Sequence, residues 1–177
     1  MTIFYKELDL ILDFNDWRFL NYLENTYTKS TKPLFVKDGE RMIGGDYRDC
    51  FLKNLHNNYI SKNIFQKIAD LFVKESTYSS LDFIYNYSQI SYVPKRLGLH
   101  RDIRKCVISI PLVPIHTPIF WYDDQKTKVL ESYSYTSESV LINTSIIHGS
   151  PTNISPRIFF QVGGFDKDIS EVISYLK

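Results

Sequence analysis

Three residues in this sequence carry types and spacing suited to chemistry. His100 and Asp102 sit in LGLHRDIRKCVISIPL, and His148 sits in LINTSIIHGSPTNISPR. Two imidazoles and one carboxylate on one side of a divalent iron leave its other positions open, which oxygen chemistry at the metal requires. A closed structural zinc site would take a fourth protein ligand. His100 and Asp102 are two residues apart, so in extended backbone they leave the same face with Cα atoms about 6.5–7 Å apart. His148 follows Asp102 by 46 residues, at the end of the apolar run SVLINTSII, so only folding can return it. Arg157 comes nine residues later, at the start of PRIFFQVGG. Its planar fork suits a carboxylate. In a strand it shares a face with Phe159 and Gln161, while Ile158 and Phe160 face the other way. An arginine facing the interior of a barrel needs an anion, and a bound dicarboxylate co-substrate would supply one.

Each residue alone has an ordinary reading. A histidine and aspartate two apart form a common polar loop, a histidine beside Gly149 is a common turn, and an arginine at a strand start is usually on the surface. The ordered set favours a site: a pair before one core strand, a histidine ending another, an arginine opening the next. Two further residues are candidates for co-substrate contact. Tyr92 lies on the strand entering the ligand loop, although core packing or a surface role is the more ordinary use of one of thirteen tyrosines. Asn143 lies on the strand leading to His148, facing the pocket or merely tolerating a sheet edge. Arg101 and Arg104 belong at the rim, where solvated charge is the usual state. Alternation in PIFWYDD puts Phe120 and Tyr122 together with Trp121 opposite, in the core. His56 and His116 have no partner pattern, and Cys50 and Cys106 read as small buried side chains.

The elements that must position these residues change character along the chain. Asn15 is placed to cap a helix over DWRFLNYLENTY, and Ser61 one over KNIFQKIADLFVKES. Lys29 to Asp49 reads as turns with one short strand. From Leu81 onward the segments LDFIYNYSQISYV, KCVISIPLV, PIFWYDD, KVLESYSY, SVLINTSII and PRIFFQVGG are strand-like and separated by turn residues. Helices followed by at least six short strands, with no long helical pattern between residues 79 and 165, fit a mainly β jelly roll with flanking helices. The length of 177 residues predicts a single domain over 1–177, with supporting helices in 1–78 and the β core in 79–165.

Composition narrows the class. A net charge of +1, from 21 basic and 20 acidic residues, gives no bulk field for nucleic acid or an anionic membrane. Two cysteines are too few for a disulfide framework. No apolar run is long enough for a membrane span, and MTIFYKELDLILDF lacks the pattern of a signal peptide. A cytoplasmic location is expected.

On these residues the chain resembles the 2-oxoglutarate- and Fe(II)-dependent dioxygenases. Their pattern is His-x-Asp, a distant His, and an Arg nine or ten residues later, here His100, Asp102, His148 and Arg157. YVPKRLGLHRD, KCVISIPL and PIFWYDD resemble that family's approach to its ligands and its next strands, over roughly residues 80–165. The resemblance implies a double-stranded β-helix, a cupin-like barrel. It also implies Fe(II) at the three ligands, with 2-oxoglutarate, held by Arg157, and O2 as co-substrates, and hydroxylation of a small-molecule or peptide substrate with release of succinate and CO2. Asp102 argues against a halogenase, in which a small residue replaces the carboxylate. Two positions depart from the family. Arg101 stands where many relatives carry Thr, and Phe159 stands where many carry Ser. Two alternatives stay open: a cupin-like metal barrel that does not use 2-oxoglutarate, and a non-catalytic interaction module.

Overall fold

The computed structural model describes residues 2–10, 48–51, 62–93, 97–112, 115, 117–135, 139–150 and 157–177. Among them, ten strands form two antiparallel sheets. The larger has the order β1 (Tyr5–Leu8), β8 (Ser139–Asn143), β5 (Cys106–Pro111), β10 (Arg157–Phe165), β3 (Ser88–Val93), β2 (Arg48–Phe51). The smaller has the order β4 (Leu97–His100), β9 (His148–Ser150), β6 (Ile119–Tyr122), β7 (Val129–Tyr133). From β3 onward the chain crosses from sheet to sheet, returning to the larger at β5, β8 and β10 and to the smaller at β6, β7 and β9. This is the connectivity of a jelly roll, as the strand spacing predicts.

Period-two alternation explains both cores. Ile108 and Ile110 of β5 and Ile158, Phe160 and Val162 of β10 pack with Ile64, Phe65 and Ile68 of α1 (Lys62–Ala69), forming the helix-covered face of the larger sheet. The Phe65 ring meets the Phe160 ring edge-on at 6.0 Å. Val107, Val140 and Ile142 of the larger sheet meet Ile119, Trp121 and Tyr133 of the smaller one, filling the space between the sheets. Trp121 is fully buried and donates through Nε1 to the carbonyl of Asn143 at 2.8 Å, so it serves the core. Cys106 is also buried.

Several local details differ from expectation. The helix expected over 62–76 ends at Ala69, because the chain turns and Phe72 forms a bridge with Leu176. The start of LDFIYNYSQISYV is not strand but a short helix, α2 (Leu81–Asn86). It is capped by the Ser80 hydroxyl, which accepts from Phe83 N, and Asp82 lies in its first turn. β1 and the final helix α3 (Ile169–Ser174) have no counterpart in the expected elements. The Asn15 helix, His56 and His116 lie outside the described residues. No helix among the described residues is long and apolar enough to cross a membrane.

The pairing of β4 with β9 positions the site. Leu97 stands opposite Ser150 and His100 opposite His148, so β4 carries one extra residue between the two pairs. Without that bulge Leu99 would face His148, and His100 would point to the other side of the sheet. The strands also approach closely: a Cβ on Gly149 would lie 2.8 Å from Gly98 O and 2.9 Å from Leu97 O, both backbone atoms. Gly149→Ala should therefore destabilise the protein by about 1–3 kcal/mol, the usual range for overpacking. Urea unfolding of the metal-free protein measures this, and an unchanged midpoint would show that the two strands separate easily.

Candidate metal centre

The fold gathers the three predicted ligands. One donor atom each from His100, Asp102 and His148 lies within 4.8 Å of the others, and no other such group of metal-binding residues occurs among the described residues. The imidazole centroids are 4.5 Å apart. His100 ends β4, His148 begins β9, and Asp102 sits in the loop that leaves β4. That loop is stitched to the turn before His148. Asp102 N donates to Thr144 O at 3.1 Å, Thr144 N to Lys105 O at 2.9 Å, and the Thr144 hydroxyl to Arg104 O at 2.8 Å. Backbone bonds thus hold together two segments far apart in sequence.

Both imidazoles are oriented by main chain. His100 Nδ1 lies 2.7 Å from Gly98 O, and His148 Nδ1 lies 2.9 Å from Ile146 O. A carbonyl only accepts, so each Nδ1 carries the proton and each Nε2 offers its lone pair. This arrangement fixes the tautomer of a metal-binding histidine. His100 Nε2 lies 3.5 Å from Asp102 Oδ1, so both atoms face the same space. Asp102 Oδ2 turns the other way, toward Arg104 Nε at 3.3 Å. Burial favours protonation of Asp102, but contact with His100 and the electrostatics of the neighbouring His148 and Arg104 outweigh it and hold the carboxyl well below the usual range. For His148, burial and the neighbouring His100 lower the pKa to about 4. At neutral pH His148 is therefore a neutral imidazole and Asp102 a carboxylate, and with the His100 imidazole they make the donor set that suits a divalent iron with open positions.

Arg157 is the first residue of β10 and only 2% exposed. Its charge acts on the buried phenol of Tyr135, whose pKa burial raises. The Tyr135 ring packs 5.2 Å from that of Phe159. Ser109 of β5 also adjoins the Tyr135 phenol, yet its buried Oγ makes no hydrogen bond of normal length. Tyr92 pairs with Ile158, while Arg157 stands opposite Val93. The Asn143 amide is engaged elsewhere: it donates to Ile3 O at 2.8 Å and accepts from Ser145 N at 3.1 Å and Ser145 Oγ at 2.6 Å. It braces the turn before His148, and its strand lies inside the sheet between β1 and β5. Arg101 pairs with Asp124 at the surface. Arg104, expected at the rim, contacts Asp102, and Ser109 has no local pattern that marks it. The two-residue offset of Arg104 from Asp102 was the available signal for the first.

Comparison with known proteins finds no matching family model and no matching curated sequence. Among solved structures, the chain is similar to a prolyl hydroxylase from Trichoplax adhaerens, solved with a hypoxia-inducible-factor oxygen-degradation-domain peptide fragment. The TM-score is 0.52 and the identity 14%, covering 83% of this chain and 76% of that one. A Pseudomonas putida prolyl-4-hydroxylase aligns over 90% of each chain at 10% identity, with a TM-score of 0.48. The first likeness bears on the fold alone: the chain shares that hydroxylase's architecture, two antiparallel sheets in a double-stranded β-helix, and in this chain the fold carries a His-Asp-His cluster.

The lowered His148 pKa gives a pH signature. Its ordinary value is 6.5, so between that and about 4 the unfolded chain binds a proton that the folded one refuses. Stability of the metal-free protein should be intact above about pH 6.5 and fall by up to about 3 kcal/mol as the pH drops toward 4. Urea unfolding across this interval checks it, and His148→Gln should flatten that part of the profile.

Proposed function

We propose that this protein is a 2-oxoglutarate-dependent Fe(II) dioxygenase that hydroxylates a small-molecule or peptide substrate. The convergence of His100, Asp102 and His148, with both Nδ1 protons bound to main-chain carbonyls, carries the proposal. These residues would hold the iron. The chemistry supplied by bound iron is O2 activation coupled to oxidative decarboxylation of 2-oxoglutarate, which leaves as succinate and CO2 while the second oxygen atom enters the substrate.

The chain's own residues set the conditions for that chemistry. Three ligands leave positions for the keto-acid end of the co-substrate and for O2. Arg157 supplies a buried cation for the remote carboxylate, and the Ser109 hydroxyl, which like Arg157 acts on the buried Tyr135 phenol, would be a second donor there. His148 is buried and His100 and Asp102 are only partly exposed, which limits access of bulk water.

Anaerobic addition of Fe(II) and 2-oxoglutarate should produce a weak visible charge-transfer band, absent in His148→Ala. Arg157→Ala should raise the dissociation constant for 2-oxoglutarate roughly 10–100-fold, matching a charge-assisted bond of about 1.5–3 kcal/mol. A folded, metal-loaded protein with no band at saturating 2-oxoglutarate would overturn the proposal. Unchanged 2-oxoglutarate binding in Arg157→Ala would take that residue out of the co-substrate site.

A further inference from the structure

We infer that Arg104 is a positioning residue for the metal, holding Asp102 so that only one of its two oxygens faces the histidines. The inference rests on the metal reading of the triad and adds a residue to it. The two Asp102 oxygens have divided partners: Oδ1 is 3.5 Å from His100 Nε2, and Oδ2 is 3.3 Å from Arg104 Nε. A carboxylate with a free second oxygen can swing to chelate a metal through both. One whose second oxygen is held by a guanidinium presents the first alone, which keeps a coordination position open.

The arginine itself is seated in a purpose-shaped gap. A Cβ on Gly163 of β10 would lie 2.5 Å from Arg104 Nη1 and 2.9 Å from its Cδ, so the side chain lies across bare backbone. The main chain on either side is tied down, since the Arg104 carbonyl accepts from Thr144 Oγ1 and Lys105 N donates to Phe165 O at 3.0 Å. Gly163 follows Arg157, Phe159 and Gln161 at every second position of β10, so one strand bears both the co-substrate cation and the seat of the ligand's brace. Arg104 and Asp102 side chains are each 23% exposed, which partly shields the contact from water.

A guanidinium beside a cation site also repels the metal, so orientation and charge predict opposite outcomes. The probe is Co(II) titrated into the metal-free protein, followed by its visible absorption and by calorimetry, with circular dichroism to verify folding. Positioning predicts that Arg104→Ala weakens Co(II) binding about 10–100-fold, the range typical of lost outer-shell partners, and alters the absorption spectrum. If the guanidinium acted by charge alone, the same variant would bind Co(II) more tightly, and that result overturns the inference. So does unchanged affinity with an unchanged spectrum.

Two further variants separate geometry from charge. Gly163→Ala displaces the guanidinium but keeps its charge, and it should reproduce the weakening. Combined with Arg104→Ala it should add nothing, the mark of one shared pathway. Should Gly163→Ala fail to fold, Arg104→Lys keeps the charge without the planar fork and should show the loss; wild-type affinity in Arg104→Lys overturns the inference. Failure of the wild-type protein to bind Co(II) would instead defeat the metal reading itself.

Discussion

A single extra residue in β4 underlies the arrangement of the site. Antiparallel partners that stand directly opposite one another project from the same side of a sheet, and a slip of one position reverses every side chain. Between the Leu97–Ser150 and His100–His148 pairs the strand gains one residue, and this brings two imidazoles into the same space. The close approach of Gly149 to the Gly98 and Leu97 carbonyls adjoins the bulge, so the glycine and the register belong to one device. Asp102 then needs only to leave the strand end and be caught. The Thr144 carbonyl catches it through the Asp102 amide.

Electrostatics completes what the backbone begins. A carboxylate enclosed by protein would ordinarily be pushed toward protonation, and enclosed imidazoles toward neutrality. Contact with His100, His148 and Arg104 reverses the first tendency, while at His148 burial and the neighbouring His100 outweigh the opposing pull of Asp102 and the Ile146 carbonyl. The outcome is one anion and a neutral His148 before any metal arrives, so little proton release from these two residues need accompany binding near neutral pH.

Much of this was legible in the residues. The order His100, Asp102, His148 marked the three donors that the fold clusters, because ligand chemistry demands particular side chains. The nearly continuous apolar runs in KCVISIPLV and PRIFFQVGG marked the central strands, because the larger sheet is covered on both faces. Other features were hidden for physical reasons. The aromatic run after Leu81 resembles a strand, but the Ser80 cap turns its first half into a helix. β1 has only four residues and is half exposed, so its pattern is too weak to stand out. The bulge in LGLH leaves no compositional trace beyond Gly98, since register belongs to a pair of strands. Asn143 reads as either a pocket residue or a sheet-edge residue; its amide bonds Ile3 and Ser145, and the contact with Ile3 is long-range, so no local pattern announces it.

The two sheets divide the labour, with the metal donors at the strand ends and exit loop of the smaller and Arg157 on the larger. The space between those sheets is filled by Val107, Val140 and Ile142 on one side and Ile119, Trp121 and Tyr133 on the other. These side chains set how far apart the two sheets stand, so core volume bears directly on the separation of His148 from Arg157.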